Sequence, residues 1–323
     1  MRARPSIVPF EPAHLEGAAE ALAARHRRHR LVEPGLDPRY EDAVAAAAEV
    51  EQLLTTDGAS GVVALSGETV VGFLVGTPLD PIWGANVWVQ AAGHAVAEPE
   101  LVRHLYAAAA ERWVAEGATS HYAMVPATDS ALVDAWFRLG FGHQHAHAIR
   151  EPASVGETPV TSDGLVVRRV RRDDLDELAR VERALPEHQA LAPVFSRLPV
   201  PTLDEVRAEL DDDLDNPAYT TFVAERAGRV VGSATGCALE VSSMHRGLAR
   251  PDRAAFLGFA AVLPEHRSTG AGRALGEAIL GWACDEAYES VVTDWRMTNL
   301  LASRTWPALG FRPTLYRLHR AIA

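Results

Sequence analysis

The chain contains no lysine; all 31 of its basic residues are arginine. Together with the abundant alanine, this points to a GC-rich coding sequence rather than to chemistry. Cysteine is nearly absent as well. Cys237 and Cys284 are too few for a disulfide framework or a cysteine zinc site, and they fit reduced thiols in a cytoplasm. No apolar run approaches the roughly 20 residues that a membrane span needs, so no membrane partner is expected. The opening stretch "MRARPSIVPFEPAHLEG" lacks the apolar segment of a signal peptide, which again leads to a cytoplasmic expectation. Positive charge is outweighed by 43 acidic residues, for a net charge of −12. That argues against nucleic acid, whose binding rests on neutralising phosphates, and is compatible with a cationic substrate.

What is present reads as an ordinary globular protein of 323 residues, 48% hydrophobic and 23% charged, long enough for two domains. Apolar periodicity lays out a first copy. A strand near Ile7 leads to helices over about 12–29 and 38–54, then to a hairpin, "GVVALSG" and "ETVVGFLVG", hinged at Ser66-Gly67. A strand "ANVWVQAAG", a helix over about 98–116 closed by Gly117, a strand "HYAMVP", a helix capped by Asp129 or Ser130, and a strand "FGHQHAHAIR" complete it.

The second half repeats that order. Strand "LVVRRV" precedes helices from Asp173 and from Thr202, the latter with the capping-box spacing Thr202 to Glu205. A hairpin turning at Ala227-Gly228, strand "FLGFAAVLP", a helix from Ala271 to about Glu286, strand "SVVTDW", helix "NLLASRTWPALG" and strand "FRPTLYRLHRAI" follow. "DAWFRLGF" and "RTWPALGF" share a tryptophan, Trp136 or Trp306, four residues before a Gly-Phe pair. The reading is therefore an internal duplication: a first domain over 1–150, a Pro/Gly/Ser/Thr-rich linker over 151–163, and a second domain over 164–323.

"AVLPEHRSTGAGRAL", residues 261–275, carries the chemistry. Gly270 and Gly272 at a strand-to-helix turn let backbone approach a bulky ligand. The first-turn N–H groups and the macrodipole favour an anion there, and Arg267 and Arg273 add charge-assisted bonds. The same spacing also serves as a plain helix cap. It is neither a Walker loop nor a dinucleotide fingerprint.

The surroundings add specificity. "VLPEHRSTGAG" resembles the acetyl-CoA loop of the GNAT superfamily of N-acetyltransferases, Gln/Arg-x-x-Gly-x-Gly/Ala after a strand ending in Val-x-Pro. Arg267, Gly270 and Gly272 match the first part; Val262 and Pro264 match the second. "NLLASRTWPALGF" resembles that superfamily's second motif through Asn299, Ala302 and Gly310-Phe311. The resemblance implies a mixed α/β class: two tandem GNAT-like domains, each a mostly antiparallel twisted sheet flanked by helices. It implies acetyl-CoA as co-substrate. Main-chain groups of Ala260, Ala261 and Val262 would meet the pantetheine arm. Ser268, Thr269, Gly270, Ala271, Gly272 and Arg273 would hold the pyrophosphate, and Asn299 would lie against the cofactor.

Transfer to an amine needs a proton acceptor. Asp294, five residues before Asn299, stands where some family members carry an acidic base; pairing with an arginine such as Arg296 is the structural alternative. Glu240 is a second candidate. The family's usual acid is a tyrosine at the position of Trp306, whose indole does not supply that proton. Ser303, Tyr316 or solvent would have to serve, or the domain binds acyl-CoA without catalysing. The first copy has "HAVAEPE" where the loop should be, with Glu98 and Glu100 in place of glycines. It is expected to have lost the cofactor and to complete the substrate cleft as a packing partner.

His143, His145 and His147 share one strand face, read as a solvated or inter-domain face, since i and i+4 lie too far apart on a strand for one metal. "RHRRHR" at 25–30 reads as a solvated helix end, and Trp83, Trp88, Trp113 and Trp136 as packing rather than a cation cage. The sequence thus leads to an acetyltransferase acting on a small-molecule amine, without metal, as an intramolecular pseudo-dimer that is monomeric or homodimeric. The alternative is a non-catalytic, regulatory acyl-CoA-binding protein.

Overall fold

The computed structural model describes residues 5–154, 164–196, 198–242 and 245–322. The chain divides into two units. The first comprises 1–147, 246–251 and 313–323; the second comprises 148–245 and 252–312. The 151–163 linker read from the sequence lies mostly outside the described residues.

In the first unit, β1 (Ser6–Pro9), β2 (Ser60–Ser66), β3 (Thr69–Gly76) and β5 (His94–Val96) form one antiparallel sheet in that order. β4 (Asn86–Val89) runs parallel to β6 (Ser120–Pro126), and beyond β6 lie β13 (Arg312–Ala321) and β7 (Gly142–Arg150). The hairpin loop is Gly67-Glu68, one residue later than the sequence signal, with Ser66 opposite Thr69. β5 is a strand that no periodicity announced.

Helices α1 (Leu15–Val32) and α2 (Ala43–Leu54) pack on one face, α3 (Leu101–Ala115) and α4 (Ser130–Phe137) on the other. The last strand belongs to this unit because it pairs antiparallel with β6, from Leu315 opposite Pro126 to Ala321 opposite Ser120. Its alternation serves both faces: Leu315 enters the α1/α2 core, Leu318 the α3/α4 core.

The second unit repeats the plan with strands ordered β12-β11-β10-β9-β8. These are β8 (Leu165–Arg169), β9 (Tyr219–Arg226), β10 (Arg229–Ala238), β11 (Ala254–Val262) and β12 (Ser290–Arg296). α5 (Leu175–Ala190) and α6 (Leu203–Asp213) bury Leu178, Val181 and Leu210 against Val223, Val230 and Ala261. α7 (Ala271–Asp285) lies against the other face, where Gly232 and Gly236 leave room for Leu275, Ile279 and Trp282. α8 (Ala302–Ala308) is shorter than the sequence suggested. The capping box forms as read, with Glu205 N–H donating to Thr202 Oγ1 and Thr202 N–H to Glu205.

The duplication is legible in local geometry too. Each unit enters its first helix through a single 3₁₀ turn, Pro12–His14 or Arg172–Asp174. In each, the turn's third residue accepts from the residue before the turn: Glu11 N–H to His14 Nδ1 at 3.0 Å, and Arg171 N–H to Asp174 Oδ2 at 2.7 Å. Each unit is a mixed α/β layer structure with a mostly antiparallel, twisted sheet. No described helix is long and apolar enough to cross a membrane.

Candidate active site

The site of the second unit begins with a strand that loses one partner. β11 pairs parallel with β12 over Ala254–Leu257 opposite Ser290–Thr293. On its other side it pairs antiparallel with β10, and the register slips so that Leu257 faces Gly236 while Phe259 faces Thr235. Gly258 is the extra residue of this bulge, and bulges bend and twist the strand that carries them. From Phe259 to Val262 the ladder continues only with β10, and the edge toward β12 opens. Open edges present unused N–H and C=O groups.

The chain leaves that edge through a 3₁₀ turn, Pro264–His266, and a tight loop. Thr269 Oγ1 donates to His266 O at 2.7 Å, and Arg267 Nε to Val262 O at 3.2 Å, which fastens the loop to its strand. Gly270 has φ +86° and is the N-cap of α7, which no side chain caps. Its left-handed backbone accounts for one glycine. It does not account for the other. Gly272 has an ordinary φ, and an added Cβ would meet nothing nearer than Val262 Cγ2 at 3.8 Å. Neither backbone nor packing asks for glycine there. Arg273 turns its guanidinium to Glu277, 2.8 Å away, so its contribution to the loop is its main-chain N–H.

Edge, loop and α7 form one wall of a cavity of about 390 Å³. Ala184, Leu185 and His188 of α5 line it, as do Asn299, Arg304, Thr305 and Trp306 from the α8 region. Sequence reasoning assigned no function to α5 or Arg304; an amphipathic helix gives no local sign that its last turn faces a cavity. Asn299 is buried, and its Oδ1 accepts from the N–H groups of Leu301 (3.2 Å) and Ala302 (3.3 Å), capping α8, and from His188 Nε2 at 3.3 Å. Ala260, Ala261, Val262, Arg267, Ser268, Gly270, Gly272 and Arg273 all line the cavity. Ala271 is buried at the start of α7.

The catalytic candidates fall apart into different places. Asp294 is the first residue of β12 past its pairing with β11, half-buried, with Oδ2 4.0 Å from Nε2 of the buried His245. His245 Nδ1 is in turn bonded to Ser242 Oγ at 2.9 Å. Arg296, the alternative partner, donates to Gln189 and Ser196. Ser303 donates its hydroxyl to Met297 O at 3.0 Å and is not a wall of the cavity. Tyr316 lies in the first unit, its ring 4.3 Å from that of His143, with burial raising its pKa. Glu240 is exposed at the end of β10, where its charge and, more strongly, burial push the Cys237 thiol up to about 11.

The first unit builds the corresponding place differently. The strand matching β11 is broken: β4 keeps the parallel pairing, Asn86–Val89 with Ser120–Ala123, and β5 keeps the antiparallel one with β3. In the break, Arg25 of α1 donates from Nη2 to Ala91 O at 2.6 Å and from Nη1 to His94 O. By register, Met124 of β6 holds the place of Asp294 in β12, and Met124 is core. Glu100 at the start of α3 pairs with Arg103 (3.0 Å) and Arg138 (2.7 Å).

Two further expectations are corrected. The 25–30 run is only in part a solvated helix end, for Arg27 and Arg28 alone are exposed. Arg25, His26 and His29 fall at the helical spacing of Ala18 and Leu22 and are 4% exposed or less. Nor is the histidine face solvated: His145 and His147 are buried, with His145 against Arg317. Trp88, Trp113 and Trp136 are core, while Trp83 and Trp88 hold a cation supplied by the chain itself, Arg317, at 5.1 and 5.5 Å. Among the described residues no cluster of three or more His, Cys, Asp or Glu is placed to hold a metal.

Comparison with known proteins bears on the same unit. The profile of the acetyltransferase (GNAT) family matches residues 187–311. A GCN5-related N-acetyltransferase from Sphaerobacter thermophilus superposes on 98% of this chain and 96% of its own, at 15% identity and a TM-score of 0.57. A tandem GNAT protein from the clavulanic acid biosynthesis pathway covers 98% and 97% at 17% identity, with a TM-score of 0.45. An aminoglycoside N-acetyltransferase in complex with CoA covers 46% of this chain and 89% of its own, at 19% identity and a TM-score of 0.38. No curated protein sequence matches the chain. The opened strand, the glycine loop and Asn299 all fall inside the residues that the acetyltransferase (GNAT) family profile matches, and the chain shares its fold with the GCN5-related N-acetyltransferase.

Proposed function

We propose that the second unit transfers an acetyl group from acetyl-CoA to the amine of a small molecule. One observation carries this reading: Gly272, which the fold does not need, keeps open the space between an uncapped helix start and a freed strand edge. A pantetheine-like arm finds hydrogen-bonding main chain along Ala260–Val262. A pyrophosphate finds the N–H groups of Ser268 to Arg273, the helix dipole and the cations Arg267 and Arg304. The fit lies in the donors: amides and guanidinium on one side, apolar wall on the other.

In the reaction, a neutral amine nitrogen attacks the thioester carbonyl carbon, the C–S bond breaks, and the electron pair leaves with sulfur. The nitrogen must lose a proton, and Asp294, beside the mouth where β11 and β12 part, is the carboxylate that takes it, directly or through water. Nε2 of the buried His245 lies 4.0 Å from Asp294 Oδ2, beyond hydrogen-bond reach. The cytoplasmic location suggested by the scarce cysteine accords with this reading.

The test is a calorimetric titration with acetyl-CoA beside a Gly272→Asp variant. One site per chain, lost in the variant, supports the reading; no binding to the unaltered protein overturns it. Trp306 in place of an acid, and the engaged hydroxyl of Ser303, favour a second reading, a binder that does not turn over. Release of free CoA thiol across a panel of amines decides between the two.

A further inference from the structure

Resting on that reading, we propose that His188 is the acid that protonates the departing thiolate, replacing the tyrosine that Trp306 displaces. His188 sits in the last turn of α5 and shares the cavity with the open β11 edge and Trp306. Asp294 is not among the residues lining that cavity. The two ends of the reaction therefore meet different groups: the amine's proton goes to Asp294 at the mouth, and the sulfur's proton comes from the cavity wall.

The hydrogen bonding fixes which nitrogen acts. Asn299 Oδ1 accepts from two backbone N–H groups of α8, so it is an acceptor toward His188 as well, and Nε2 must carry hydrogen. In the imidazolium, Nδ1–H is then the proton that can be given. Its transfer to S⁻ leaves S–H and a neutral ring protonated at Nε2, the tautomer that Asn299 already holds. The step needs no other co-reactant, and bulk water returns the proton to Nδ1 between turnovers.

Arg267 and Arg304 share the cavity with His188, whereas Arg273 is paired with Glu277 at 2.8 Å, and the nearest acid on the helix of His188, Glu187, is paired with Arg183 at 3.2 Å. Arg296 of β12 reaches its neighbour Gln189. A cationic surrounding stabilises a thiolate formed within it.

The experiment uses the product, CoA, so no acceptor is required. Thiolate absorbance of CoA bound to the full chain is titrated with pH, beside His188→Gln, which keeps a donor for Asn299. Calorimetric CoA affinity within threefold of the unaltered protein shows the variant folded and loaded. The expected result is a thiolate fraction about tenfold higher for bound than for free CoA near neutral pH, reduced at least threefold in the variant. Bound CoA whose thiol titrates identically in both proteins overturns the assignment and leaves the cofactor site standing. Failure of the unaltered protein to bind CoA overturns both.

Discussion

Arg25 and Leu185 hold the same place in two copies of one fold. Each lies 14 residues after the residue that opens its unit's capped 3₁₀ turn, Glu11 or Arg171. Leu185 forms an apolar wall of an open cavity. Arg25 is buried and donates to the carbonyls of Ala91 and His94, at the break in the strand that matches β11. The first unit thus supplies from its own helix the donor that a ligand would otherwise bring. Burial, followed by the charge of Arg28, pulls the guanidinium's pKa well below its ordinary value.

From this we expect a single acetyl-CoA site per chain, in the second unit. We also expect Arg25→Ala to lose about 2–4 kcal/mol of stability, because two buried carbonyls lose a charged donor and the core gains a void. Denaturant unfolding measures the loss; a change under 0.5 kcal/mol would mean that the contacts are incidental.

Gly270 and Gly272 separate fold from function. Gly270→Ala forces a side chain into φ +86°, at a cost of about 1 kcal/mol or more. Gly272→Ala meets no clash and gains up to about 1 kcal/mol of helix propensity. The motif admits alanine at this place, but the charged side chain of Gly272→Asp would fill the ligand space, so acetyl-CoA affinity should fall at least tenfold there. Thermal unfolding and calorimetry on the three variants check these signs. A Gly272→Asp protein that binds undiminished would return this glycine to the role of a cap.

These two glycines also mark how far the sequence reaches. Arg267, Gly270, Gly272 and Asn299 are legible because a turn, a helix start and a recurring motif are local. The capped entry at Thr202 and the repeated Gly-Phe pairs are legible for the same reason. His188 was not legible: it meets Asn299 across 111 residues, and contacts of that separation leave no period to read. Arg25 misled for a different reason. Its charge suggested solvent, but helical spacing placed it on the face of Leu22, and two main-chain carbonyls made burial tolerable. The last strand followed its alternation faithfully, yet alternation does not state which sheet a strand joins.

Asp294→Asn removes the proton acceptor and little else, since amide and carboxylate share a shape. We expect turnover to fall by 10²-fold or more with acetyl-CoA affinity within threefold. Steady-state release of CoA thiol with any amine found active gives the first quantity, and calorimetry the second. Retained turnover would assign the proton to water or to Glu240.

The first unit should be the acid-labile one. Burial, aided by the charge of Arg25, holds His29 and His94 down at about 3, and burial with Arg320 holds His121 down at about 4. His26, His143 and His319 are lowered in the same direction, chiefly by burial. All six lie in the first unit. An unfolded imidazole takes its proton near 6.5 while the folded one stays neutral, so the unfolded state binds more protons as pH falls. Stability is therefore full above 6.5 and declines steadily below it, each buried histidine contributing up to about 1.4 kcal/mol per pH unit until its folded value is reached. Carboxylates lowered by partners, such as Asp174 beside Arg168, run the same way but lose stability only as pH falls through the carboxylate range. Hydrogen exchange followed by mass spectrometry between pH 7 and 4 should show protection lost first in α1, β3, β5 and β6, while β9 to β11 and α7 remain protected. Simultaneous loss in both units, beginning only below pH 4, would show that these histidines are charged in the folded protein after all.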